Sequence, residues 1–250
     1  KHVPLIESNP FSSIKNNFLD TFEFMKLIIK FKIPNFCLIS SDKAVRPTNI
    51  MGASKRLSEL ALLYLNNSTK HNTSLCSVRF GNVINSSGSV MPLFQYQIEN
   101  NLQLTLTHKK IIRYFMTIEE AANLVLNTQK ISKGGEIFLL DMGKPIKLFD
   151  LAKLMIQFSG KTFKKNGHGD IEIKIIGLRK GEKLFEELLI DERSIKSSIN
   201  FIHQSLESNI TNKEFINLYT NIKNVYSSKN YVQLKKLIKN KYINYSFNDK

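Results

Sequence analysis

The sequence predicts an α/β fold in which helices pack on the faces of a parallel sheet. Short apolar runs of strand length alternate with longer segments whose apolar residues recur at helical spacing. The predicted order of helix, strand, helix, strand suits parallel strands joined by crossovers. One of the strand-length runs, Phe36-Cys37-Leu38-Ile39, is apolar throughout, as a strand buried on both faces is.

Phe11, Ile14, Phe18, Phe22, Met25 and Ile29 fall on one helical face and predict a helix over about 10–31. Pro34 breaks it, and a strand is expected at 36–40. Leu57, Leu60, Ala61 and Tyr64 place a second helix over about 52–65, and Leu75 to Phe80 forms the next strand. Beyond Gly81 the periodicity loosens. Thr117-Ile118-Glu119-Glu120 has the form of a capping box and opens a helix to about 130. Strands are expected at 136–141 and 171–177 with a helix at 148–159 between them, and helices at 213–227 and 231–240 close the chain.

With 250 residues, the chain suffices for one large domain or two small ones. Its 42% hydrophobic and 23% charged residues are ordinary for a globular protein, and no apolar run approaches the roughly 18 residues of a membrane span. Cys37 and Cys76 lie in apolar runs at no metal-ligand or disulfide-framework spacing, which favours buried free thiols in a reducing compartment. The net charge of +15 raises a nucleic-acid reading, but residues 201–250 carry only +5 of it and no recognition motif is present. A basic surface equally suits a diphosphate ligand. Lys1-His2-Val3-Pro4 has neither an initiator Met nor a signal-peptide pattern, and is expected to continue from a longer chain.

The chemistry concentrates in Ser40-Ser41-Asp42-Lys43-Ala44-Val45-Arg46-Pro47-Thr48-Asn49-Ile50-Met51-Gly52-Ala53-Ser54-Lys55-Arg56. The strand before it delivers Ser41, Asp42 and Lys43 to the carboxyl end of the sheet, where open α/β folds place their ligands. Adjacent Asp and Lys side chains offer an acid and a base; the bland alternative is an exposed turn. Met51 and Lys55, four residues apart, share one helical face. Further along, Gly81 and Gly88 permit close backbone approach, and Asn82 offers donors and acceptors to a sugar. Arg113 and Arg179 carry planar donor forks matched to a diphosphate, while Glu182 is suited to accept from ribose hydroxyls. For each of these a surface ion pair or turn glycine is the competing reading.

The whole string resembles the active-site region of nucleotide-sugar 4,6-dehydratases of the polysaccharide and capsule biosynthesis family, within the extended short-chain dehydrogenase/reductase superfamily. Further blocks match in the same order: Lys1-His2-Val3-Pro4 with Asn9-Pro10 and Lys15-x-Asn17; Val78-Arg79-Phe80-Gly81-Asn82-Val83; Ser86 to Phe94; Ile112 to Thr117; and Gly177 to Leu184. The resemblance implies the C-terminal part of a Rossmann-like doubly wound sheet, a smaller mixed α/β substrate-binding domain and C-terminal helices. The corresponding boundaries are 1–80, 81–205 and 206–250.

What the resemblance implies chemically is NAD-dependent dehydration of a UDP-N-acetylhexosamine, most simply UDP-N-acetylglucosamine. The cofactor oxidises C4, water leaves across C5–C6, and the hydride returns to C6. Asp42 would protonate the departing C6 hydroxyl, Lys43 would take the C5 proton, Ser41 would bond near the C4 oxygen, and Lys55 would bind the nicotinamide ribose. Ser40 and Asn17 are further cofactor candidates, and Lys1, Asn82, Ser89, Val90, Arg113, Arg179 and Glu182 are substrate candidates. Met51 stands where the wider superfamily has a catalytic Tyr; larger, often membrane-anchored family members also carry Met there, so it marks the branch retaining configuration at C5. No metal is implied, and the expected location is the cytoplasm, with a full-length relative anchored at the cytoplasmic face of the inner membrane as the alternative.

A Gly-rich first turn is absent, since neither Gly134-Gly135 nor Gly167-His168-Gly169 has the spacing. Roughly a hundred residues of a doubly wound domain are therefore expected in a missing N-terminal half or a partner, a homo-oligomer included. A sugar-nucleotide epimerase and a non-catalytic sugar-nucleotide-binding remnant are the competing functions.

Overall fold

The computed structural model describes residues 2–187, 194–207 and 210–246. Helix α1 (Val3–Ser8) carries Pro4 in its first turn, where a missing N–H leaves no bond unmade. Helix α2 (Pro10–Ser13), a π turn (Ile14–Leu19) and α3 (Asp20–Lys30) then run on as the expected long helix. Strand β1 (Asn35–Ile39), a 3₁₀ turn (Asp42–Ala44), helix α4 (Ile50–Ser68) and strand β2 (Ser74–Arg79) reproduce the predicted alternation.

Helix α4 starts two residues earlier than predicted because its first amides are satisfied. The Asn49 side chain accepts from Gly52 N at 2.8 Å, and Glu7 accepts from Ile50 N at 2.6 Å. The π turn escaped the periodicity because its partners lie on α4: Asn17 donates to Ser54 at 2.9 Å, and its carbonyl accepts from Ser58.

Strand β3 (Asn82–Val83) leads to helix α5 (Val90–Glu99); of the two substrate candidates here, Ser89 is its N-cap and Val90 its first residue. Strands β4 (Leu104–Leu106), β5 (Ile112–Arg113) and β6 (Phe115–Met116) precede α6 (Ile118–Ile131), whose capping box forms in full. Next come β7 (Glu136–Leu140), β8 (Ile146–Lys147), α7 (Leu148–Phe158) and β9 (Ile173–Ile175). Strands β10 (Ser194–Lys196) and β11 (Ile202–Ser205) were not predicted, and α8 (Asn212–Ser228) and α9 (Tyr231–Ile238) were.

The main sheet has the order β1-β2-β7-β11-β10. Its first three strands are parallel, while β11 runs antiparallel to β7 and β10 antiparallel to β11. Side-chain alternation splits the core. Leu38, Leu75 and Ile137 face α4, α8 and α9, whereas Cys76, Val78, Phe138 and Leu140 face α6. A separate cluster of Phe94, Ile98, Leu104, Leu106, Ala152, Ile156 and Ile173 holds α5, α7, β4 and β9 together as a small subdomain. Cys37 and Cys76 are free thiols at matching positions on β1 and β2. Among the described residues no helix is long and apolar enough to cross a membrane.

Gly52 fixes how α4 meets the 3₁₀ turn. A Cβ there would lie 1.9 Å from the Lys43 carbonyl oxygen, a backbone atom that cannot swing aside. Gly52→Ala is expected to cost about 2 kcal/mol or more, read as a lower denaturation midpoint, because the turn must be pushed off the helix.

Candidate active site

The predicted residues converge at the carboxyl ends of β1 and β2. A groove of about 450 Å³ is lined by Ile39, Ser40, Ser41 and Lys43 from β1 and the following turn, Met51 and Lys55 from α4, and Phe80, Gly81 and Asn82 after β2. A second compartment of about 220 Å³ adjoins it, lined by Val90, Thr107, Arg113, Phe115 and Glu182 among others. Asn82, Gly88, Ser89 and Arg179 border both, so the two form one continuous cleft between the main sheet and the small subdomain. A larger cleft of about 700 Å³, at the amino ends of the strands by Lys70 and His71, contains none of the predicted residues.

Ser41 is the N-cap of the 3₁₀ turn: its hydroxyl accepts from Lys43 N and donates to Asp42 at 2.8 Å. Lys43 Nζ donates to the same Asp42 oxygen at 2.9 Å. Asp42 is 2% exposed and lies behind Lys43 rather than on the groove wall. Burial works against the charge on Lys43, but Asp42 and Glu186 together outweigh it and raise the ammonium above its ordinary value. Met51 and Lys55 share the groove face of α4, as their spacing requires. Lys55 Nζ donates to the Ile39 carbonyl at 2.9 Å, and burial lowers its affinity for a proton, with Glu59 opposing.

Several assignments meet a different geometry. The Ser40 hydroxyl lies at the groove but donates to buried Glu59 at 2.5 Å, so it is committed inward. Asn17 does not line the groove; its amide joins the long N-terminal helix to Ser54 on α4. Arg113 is 7% exposed and spends its fork on the carbonyls of Ile112, Lys183 and Leu184, with Glu182 at 3.4 Å, so it holds the 182–184 segment in place. Glu182 also accepts from Thr107 and from the Arg179 amide. The Arg179 guanidinium is exposed and makes no ion pair among the described residues. Lys1 lies outside the described residues.

The sequence reading missed two groups. Under the groove, Glu59 (0% exposed) receives Arg79 at 2.6 and 2.8 Å and Arg56 at 3.0 Å, and Glu207 completes the network. Burial alone would push the Glu59 carboxyl up, but Arg79, helped by Arg56 and Ser40, holds it at about 2. The second is Glu186, buried 3.6 Å from Lys43 Nζ and 3.8 Å from Arg113. It lies two residues past the Gly177–Leu184 block, whose spacing gave no sign that the chain turns back onto Lys43.

Three-dimensional convergence and sequence likeness point the same way. The chain belongs to the polysaccharide biosynthesis protein family, which it matches over residues 1–208. It is 50% identical over 189 residues to the capsular polysaccharide biosynthesis protein CapD of Staphylococcus aureus, covering 76% of this chain and 31% of that protein. It is also 35% identical over 198 residues to a UDP-glucose 4-epimerase of Rickettsia canadensis, covering 79% of this chain and 55% of the relative. The chain thus spans about a third of CapD and about half of the epimerase.

Among solved structures, the protein Pen from Bacillus thuringiensis superposes with a TM-score of 0.75 at 36% identity, over 85% of this chain and 64% of that one. A dTDP-glucose 4,6-dehydratase from Bacillus anthracis in complex with NAD shares the fold (TM-score 0.57, 16% identity, 69% and 58% coverage). The fold is thus the Rossmann-like α/β fold that these two structures share.

Proposed function

We propose that this chain is the substrate-side and catalytic portion of an NAD-dependent nucleotide-sugar 4,6-dehydratase that acts on a UDP-N-acetylhexosamine, UDP-N-acetylglucosamine in the first instance. The observation that carries this reading is that Ser41 and Lys43, both hydrogen-bonded to the buried Asp42, face Met51 and Lys55 across one cleft. Such a set can move a proton off one carbon and onto a neighbouring hydroxyl, which is what elimination of water needs. With Met at position 51 the cleft lacks the phenol of the Tyr-dependent epimerases, and a thioether neither gives nor takes a proton.

Lys55 fits the cofactor's sugar: its ammonium has three donors, of which one goes to Ile39. Bound there, NAD supplies the acceptor for the C4 hydride. No Gly-rich strand–helix turn among these residues cradles its pyrophosphate, so the reading includes a further segment or subunit that does. β1, the edge strand of the main sheet, is where that segment would pair. Asn82, Ser89 and Val90 line the sugar end of the cleft, and the Arg179 fork is the diphosphate ligand. Arg179→Ala is accordingly expected to raise KM for the UDP-sugar roughly tenfold while kcat changes little, since a charge-assisted bond is made alike in ground and transition states.

The test is incubation of the chain, together with the segment that cradles the NAD pyrophosphate, with UDP-N-acetylglucosamine and NAD, followed by proton NMR. A 4-keto-6-deoxy product that vanishes in Asp42→Ala supports the reading. Accumulation of the C4 epimer would replace it with an epimerase, the reading that likeness to the Rickettsia protein favours. Absence of any product with that segment and NAD both supplied would leave the chain a binding remnant.

A further inference from the structure

Lys43 presents a difficulty for the reaction just proposed. A base must be neutral before it takes a proton, yet Asp42 and Glu186 both favour the Lys43 ammonium. The structure holds a group positioned to relieve it. We propose that Glu186 is a positioning residue that takes and returns the Lys43 proton, so that Lys43 can work as a neutral base without exchanging that proton with solvent. The proposal rests on the dehydratase reading and adds a residue to it.

Geometry supports this role over a packing one. The Glu186 side chain is 4% exposed, and its Oε1 lies 3.6 Å from Lys43 Nζ and 3.8 Å from Arg113. Its Oε2 is buried with no hydrogen-bond partner among the described residues, a costly arrangement for a full carboxylate. The charged groups facing it are Lys43 and Asp42 from the 3₁₀ turn, Arg113 from β5 and Lys183 from its own segment. Burial pushes its proton affinity up and the nearby Asp42 carboxylate adds to this, against Lys43, Arg113 and Lys183.

The segment is held against the catalytic turn. Gly181 O accepts from Thr48 and Asn49, Lys183 donates to the Val45 carbonyl at 2.9 Å, and Glu187 pairs with Arg46. Gly181 adopts φ +73, and a Cβ there would lie 2.8 Å from Thr48 O, so the approach is built in.

The proton count closes. A Lys43 N–H bond breaks and a Glu186 O–H bond forms, leaving the electron pair on Nζ. With the substrate in its 4-keto form, Nζ takes the C5 proton and the C–H electron pair moves to the C4 oxygen as an enolate. Lys43 then passes a proton to Asp42, and the Ser41 hydroxyl, bonded to Asp42 and lining the groove, takes it while giving its own to the departing C6 hydroxyl, as the enolate collapses to the C5–C6 alkene and water leaves. Lys43, neutral again, recovers its original proton from Glu186.

The experiment has two arms on the full chain. In the first, Lys43 is followed by nitrogen-15 NMR across pH in wild type, Glu186→Gln and Glu186→Asp, with Lys43→Arg to assign the signal. The expected result is a Lys43 titration shifted to lower pH in the Gln variant and close to wild type in the Asp variant. An unchanged titration in the Gln variant overturns the proposal whether or not the chain turns over.

In the second arm, kcat is measured against pH. Glu186→Gln is expected to lose about 10²-fold at neutral pH and to recover as pH rises through the Lys43 titration, because hydroxide then does the work of the carboxylate. A loss of the same size at every pH would mean a packing role and overturns the proposal. Absence of 4-keto product from wild type supplied with its NAD-cradling segment would sink the dehydratase reading, leaving the first arm to decide the Lys43–Glu186 coupling.

Discussion

Replacing Lys43 with Ala is expected to lower kcat about 10³-fold on UDP-N-acetylglucosamine, with KM changed only severalfold. Two effects combine. The group that takes the C5 proton is removed, and general-base catalysis is worth about 10²–10⁴ in rate. The variant also leaves Asp42 and Glu186, 2% and 4% exposed at the side chain, without the cation between them. Glu186, already raised by burial and by the Asp42 carboxylate, is then pushed further up for want of the Lys43 charge. Steady-state kinetics with a matched circular-dichroism spectrum measures this; a kcat within tenfold of wild type would remove Lys43 from the chemistry.

Arg79→Ala is expected to destabilise the fold by about 3–5 kcal/mol, because it strips one partner from a fully buried ionic network. Arg79 is 0% exposed and joins Glu59 on α4 to Glu207 beyond β11, while Arg56 also reaches the Tyr242 carbonyl. Sheet, helix and C-terminal segment are thus fastened at one point beneath the cleft. For a chain of this size the cost corresponds to a drop in Tm of roughly 6–20 °C, read by calorimetry.

The network also sets an acid limit. The Glu59 carboxyl is held down from 4.5 to about 2 in the folded chain. A depressed carboxylate contributes stability that is complete above its unfolded value and fades as pH falls toward its folded one. About 3 kcal/mol is therefore expected to vanish between pH 4.5 and pH 2 in wild type. Arg79→Ala removes the main cause of the shift, so its loss of stability across that window is expected to be smaller.

How much of this was legible in the sequence follows from what each feature depends on. Helices α4, α6 and α8 and strands β1, β2 and β7 could be read because their apolar spacing and the Thr117–Glu120 box are local signals. The β10–β11 hairpin was not: its residues pair across the sheet with β7, and the segment lacks a strong alternation. Likewise the Ser41–Asp42–Lys43 set was legible as one contiguous string. Glu59, Arg79 and Glu186 reach the site from 16 to more than 100 residues away along the chain, and nothing local marks them as buried. Arg113 shows the converse. Its fork suggested a diphosphate, but two of the three carbonyls that occupy it belong to a segment some 70 residues further on.

The central claim is elimination across C5–C6 through the Asp42–Lys43 pair, and the path of one hydrogen decides it most directly. UDP-N-acetylglucosamine deuterated at C4 is incubated in ordinary water with the protein and NAD, and deuterium NMR locates the label. The account predicts deuterium in the C6 methyl group of a 4-keto product, with transfer abolished in Lys43→Ala. Deuterium found back at C4 of a sugar with inverted configuration would contradict it, and would assign the cleft to epimerisation instead.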